Sequence, residues 1–150
     1  MPQTRLLAAG FAALFLFGGA VAAVADSPLG VDQAVQARQT AMKEDGRALR
    51  HADKLTGDQA VQALTTVAAN YEKLPGLFPK GSVTDKSVAL PVIWDRFDEF
   101  SAIFKKGEDA AASGIAAAKA GDAAGYLGAI KIIGGTCDDC HRTFRAKRDG

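Results

Sequence analysis

Two cysteines, two histidines, two methionines and one tryptophan are all that these 150 residues offer of those types. With no second closely spaced cysteine pair, a four-ligand structural zinc site is left short of ligands. No hydrolytic constellation, phosphate-cradling glycine loop or carboxylate pair is present, so the chain is not expected to be an enzyme. Neither sign of charge is in excess: the formal net charge is +1, and no basic or acidic run disturbs the balance. A nucleic-acid surface or polybasic membrane patch is therefore disfavoured. Aromatics make up only 7% of a chain rich in Ala and Gly, which suits close-packed helices better than sheets. No repeat or low-complexity linker divides the chain after its first 25 residues, and its length fits one domain.

Those first residues are expected not to belong to the fold. One basic residue, Arg5, precedes an apolar run from Leu6 to Ala25, which ends in the small residues Ala23-Val24-Ala25 before Asp26. That is the pattern of a secretory signal peptide over 1–25, leaving 26–150 as the mature domain. An uncleaved anchor is the alternative, since the run approaches the length of a membrane span. However, Gly18-Gly19 interrupts it. Cleavage would leave no stable membrane anchor and an exported protein, most simply in a bacterial periplasm.

Apolar periodicity predicts four helices. The first spans about Val31 to Lys54, with Val31, Ala34, Val35, Arg38, Met42 and Leu49 on one face. Gly57-Asp58 reads as a break with Asp58 as N-cap. Val61, Leu64, Val67, Ala68, Tyr71 and Leu74 form the stripe of the second helix. Pro75, Gly76, Pro79 and Gly81 make a loop that reaches about Ala89. Pro91 opens the third helix, striped by Ile93, Phe97, Phe100, Phe104, Ala111 and Ile115. Gly121-Asp122 repeats the stop-and-cap signal. The fourth helix carries Tyr126, Ile130, Ile133, Cys137, Cys140, His141 and Phe144 along one seam. The expected fold is all-α, an antiparallel four-helix bundle. Gly134-Gly135 costs this helix about 1 kcal/mol per glycine relative to Ala. It marks either a bend or delayed helix start, or a place where something flat and bulky meets the backbone.

Both cysteines fall in "GGTCDDCHRTFR". A disulfide between residues three apart on a helix would strain it and close almost no loop. A thioredoxin-like pair needs an activated thiolate near a helix N-terminus, usually after a strand. A zinc site would have Cys137, Cys140, His141 and at best His51. Cys-x-x-Cys-His is also the signature of covalent haem attachment, in which two thiols bond the haem edge and the adjacent imidazole becomes an axial ligand. Export, helical context and cysteine count agree with that last possibility, and bundles place cofactors between facing helices. Phe144 and Arg145 follow His141 by three and four residues, on its face of a continuing helix. Either could serve the haem, or be core and solvated helix end respectively. Trp94 reads as core or haem packing, and "RAKRD" as a solvated helix end.

The sequence resembles the class II c-type cytochromes, the cytochrome c′ family and its low-spin relatives. The resemblance rests on "ARQTAMK", "LPGLFPKGS", "PVIWDRFDEF" and the C-terminal "GGTCDDCHRTFR". It implies a four-helix bundle with one haem c, often a homodimer, in which Cys137 and Cys140 bind the haem and His141 is the proximal ligand. It also places Arg38 and Gln39 near the haem and its propionates, and Arg145 as the basic residue beside the proximal histidine. Met42, the sole methionine after signal removal, falls at the distal position. If Met42 ligates the iron, the resemblance implies a low-spin electron carrier meeting redox partner proteins. If it only blocks the site, the implied protein is five-coordinate and high-spin, binding nitric oxide or carbon monoxide. The "MKEDGRAL" context looks closer to the low-spin members. His51, nine residues or about two and a half turns later, points away from Met42's face.

Overall fold

The computed structural model describes residues 29–147. The expected signal segment, and Arg148 and Asp149 of the tail, lie outside the described residues. The helices are α1 (Val31–Ala48), α2 (Gly57–Lys73), α3 (Val92–Asp95), α4 (Phe97–Ala120) and α5 (Ala123–Phe144). The four long ones form an antiparallel bundle. Its principal contacts run between α4 and α5 and between α2 and α4, while α1 packs on α2 and the turn Leu74–Leu77. Contact between α1 and α5 is slight by comparison, so the bundle stands open along one side. Among the described residues no helix is long and apolar enough to cross a membrane.

The helix ends follow local chemistry, with tertiary corrections. α1 stops at Ala48 rather than Lys54. His51 takes a left-handed φ of 62°, and a 3-10 turn follows over Ala52–Lys54. This turn is held from outside: Ala52 is fully buried and its carbonyl accepts the Tyr126 hydroxyl at 2.9 Å. Asp58 is not the cap expected of it. Thr56 occupies the N-cap of α2 without a side-chain bond, and Asp58 sits in the first turn, where its carboxylate complements the helix dipole. Asp122 does cap α5, accepting the Gly125 amide at 2.9 Å, and Gly121 turns the chain at φ 71°.

The expected third helix is two pieces. One turn, Val92–Asp95, breaks at Arg96 (φ −127°, ψ 42°) before α4 begins. That turn is anchored by buried Ile93 and by the Trp94 indole, which donates to the Phe78 carbonyl at 3.1 Å. After the break Phe100 and Phe104 face the core, while Phe97 is 39% exposed. Val31, at the start of the α1 stripe, is also exposed.

Close helix approach depends on missing side chains. A Cβ at Gly107 would lie 2.1 Å from Tyr71 Cε2, and one at Gly114 would lie 2.5 Å from Leu64 Cδ1. Gly107→Ala is expected to destabilise the fold. Overpacking against a ring edge costs about 1–3 kcal/mol, which outweighs the roughly 1 kcal/mol helix-propensity gain because the buried ring must shift bodily. A lower denaturant midpoint at unchanged slope is the measurement that checks this.

Candidate haem site

α5 is one continuous helix through the Cys-x-x-Cys-His segment. Gly134 and Gly135 therefore mark no delayed start, and a Cβ at either would meet no atom within 4 Å. Thr136 and Cys140 are buried, Cys137 is half-buried, and His141 is exposed. Thr136 Oγ1 donates back to the Ile133 carbonyl at 2.7 Å. The Tyr71 hydroxyl, reaching across from α2, lies 3.3 Å from both Thr136 Oγ1 and Cys137 Sγ. Burial holds the Tyr71 phenol well above its ordinary pKa, with Cys137 adding to the shift.

The open side between α1 and α5 is a slot with two lobes, both open to solvent. Met42, Cys140 and His141 line both lobes. The first lobe adds Arg38, Gln39 and Arg145, with Phe78, Ile93 and Phe100 as apolar wall. The second adds Cys137, Tyr71 and Asp45, walled by Ile103 and Phe104. The slot thus brings Arg38, Gln39, Met42, Cys137, Cys140, His141 and Arg145 together. His51 is outside it, exposed beyond the end of α1.

Arg38 is 3% exposed. Its Nη1 donates to Leu77 O (3.0 Å) and Ser82 Oγ (2.8 Å), and its Nη2 to Ser82 O (2.6 Å) and Ser87 Oγ (2.8 Å). The guanidinium also lies 4.3 Å over the Phe78 ring. Burial lowers its pKa, but an arginine keeps its charge in protein. No carboxylate pairs with it among the described residues. It clips the loop onto α1, and Gln39 assists by donating to the Lys86 carbonyl at 2.7 Å. Arg145 does not continue the helical face of His141. It leaves α5 in extended conformation and bridges to Ala89, with the Leu90 and Ala146 amides bonding across. Phe144 is core, 5.2 Å from the Phe100 ring.

These residues fit a flat prosthetic group better than the competing chemistries. Burial pushes the Cys140 thiol up to about 11, with Cys137 adding to it, and both cysteines lie in the last turns of α5 rather than at the helix N-terminus that would activate a redox thiolate. Among the described residues no group of three or more His, Cys, Asp or Glu could hold a metal ion by itself. An apolar slot with two thiols and an imidazole on one wall and a buried unpaired cation on the other suits a porphyrin bearing acidic arms. Sequence reasoning missed Asp45, Ser82 and Ser87. Only Asp45 left a signal, as a polar residue at the Arg38, Met42, Leu49 spacing.

A family model described as cytochrome c′ matches residues 33–145. A cytochrome c′ from Pararhodospirillum photometricum is 36% identical over 118 residues, covering 74% of this chain and 94% of that protein. A cytochrome c-556 from Agrobacterium fabrum is 38% identical over 122 residues, covering 76% and 82%. The solved cytochrome c′ from Rhodopseudomonas palustris superposes with a TM-score of 0.66 at 31% identity, covering 77% and 98%.

Proposed function

The chain belongs to the cytochrome c′ family, and we propose that it is an exported one-electron carrier with iron held by His141 and Met42. The family's cofactor is a covalently attached haem c with its iron, and Cys137 and Cys140 are the two cysteines this chain has for the thioethers. What supports the proposal above all is the slot between α1 and α5, whose two lobes share Met42, Cys140 and His141. When bound, the haem supplies a one-electron couple. Arg38 offers a buried positive charge to a propionate, and Gln39 and Arg145 flank it. The apolar walls keep water from the centre, and His/Met ligation raises the potential. Export would rest on the signal pattern over 1–25 and would place the carrier in a periplasm among redox partner proteins.

One observation favours the second possibility. Met42 is only half-buried, among apolar side chains of both lobes, where a thioether can serve as packing alone. The iron would then be five-coordinate and open to nitric oxide or carbon monoxide. The absorption spectrum of the holoprotein decides between them. Ligation by Met42 predicts low-spin bands in both oxidation states, indifferent to carbon monoxide. A high-spin spectrum that shifts with the gas would overturn it.

A further inference from the structure

Asp45 is a buried carboxylate that packing alone does not explain. It is 5% exposed and lines the slot lobe that also holds Cys137 and Tyr71. Among the described residues no lysine or arginine pairs with it. Its Oδ1 accepts one bond, from the Asn70 amide at 2.8 Å, and the same amide reaches Ala41 O and Glu44 Oε2 at 3.4 Å. A buried charge opposes folding, and neither lysine nor arginine offsets this one among the described residues.

We propose that Asp45 tunes electron transfer at this site: its ionised carboxylate favours the oxidised haem, and it takes up a proton when the electron arrives. The oxidised centre carries one more positive charge than the reduced one, and a nearby anion in a low-dielectric slot stabilises it. Linkage makes the effect reciprocal, so reduction raises the proton affinity of Asp45. The step balances. A protein electron donor gives one electron to the ferric iron, one proton passes from solvent to the Asp45 carboxylate, and no other bond changes.

The surroundings put that proton in a useful range. Burial raises the Asp45 carboxyl to about 6, against the lowering by the Asn70 bond and with a further raise from Glu44 on the same helix. From α2 it is faced by Tyr71, which burial keeps protonated. From α5 it is faced by Cys137, which a thioether consumes, and by His141 in the same lobe. Because the folded value is raised, the folded state holds the extra proton between its ordinary 3.8 and about 6. Stability therefore falls as pH rises through that window. Asp45→Asn removes that loss and keeps an acceptor for Asn70, so the variant is expected to fold.

The proposal rests on the haem assignment and not on ligation by Met42. The experiment is the midpoint potential of the holoprotein from about pH 5 to about pH 8, for native protein, Asp45→Asn and Asn70→Ala. The native potential is expected to fall with rising pH near 6, by at most tenfold in the electron-transfer constant per pH unit, or about 59 mV. Asp45→Asn should flatten that region and lie above native at high pH. Asn70→Ala should move the inflection to higher pH. An infrared difference spectrum should show a protonated carboxyl band on reduction that is lost in Asp45→Asn. An unchanged slope and band in Asp45→Asn would overturn the proposal and assign the proton to the haem propionates. Loss of the haem assignment would show separately as no haem absorbance, and loss of Met42 ligation as a high-spin spectrum.

Discussion

Met42→Leu is expected to turn a low-spin holoprotein into a high-spin one that binds carbon monoxide, with a lower potential. The substitution is close to volume-conserving, so the packing cost stays under about 1.5 kcal/mol. What disappears is the thioether sulfur, and with it the sixth ligand. The residue is well placed for such a role: it stands on α1 one turn after buried Arg38 and one turn before buried Asp45, on the rim shared by both slot lobes. The change should be near-complete, because leucine offers the iron no donor atom at all. Visible spectra of both oxidation states, recorded with and without carbon monoxide, check it. Unchanged spectra would remove Met42 from the iron and put the gas-binding function first.

Much of this arrangement was legible in the sequence because it rests on periodicity. The seam Ile133, Cys137, Cys140, Phe144 follows from helical spacing alone, and the slot lies along it. Cap chemistry worked where the side chain acts locally, as at Asp122, and failed at Asp58, where Thr56 precedes it and no local pattern separates the two. What could not be read is whatever tertiary contact imposes. α1 yields to a left-handed His51 because the Tyr126 hydroxyl, 74 residues on, holds the Ala52 carbonyl. The break at Arg96 leaves Phe97 out of the stripe it shares with Phe100 by spacing. Arg38 was placed near the cofactor by family likeness, yet its hydrogen bonds go to Leu77, Ser82 and Ser87. These loop positions carry no period that points to α1. Tyr71 read as one more core residue on α2, and only its hydroxyl position beside Cys137 ties it to the site.

Phe100→Ala is expected to be the most destabilising single substitution in the bundle, at about 3–5 kcal/mol. The ring is fully buried and sits where four others meet it. Its centroid lies 4.8 Å from Phe78, 5.0 Å from Phe104, 5.2 Å from Phe144 and 6.0 Å from Phe97. Three of these pairs are edge-to-face, a geometry that adds about 0.5–1.5 kcal/mol per pair beyond area. These neighbours come from the loop, α4 and α5, so none can collapse into the hole without moving its own element. Domain stabilities are about 5–15 kcal/mol, so the loss takes a large share of the total. Phe97, three residues earlier on the same helix, is the internal control. It is 39% exposed, and Phe97→Ala should cost only about 1 kcal/mol. Denaturant midpoints of the two variants at unchanged slope separate the cases. Phe100 also walls the slot lobe that holds Arg38, so the larger loss should be accompanied by weaker retention of low-spin character in the holoprotein. A comparable cost for both variants would mean that the five-ring cluster does not anchor this side of the haem slot.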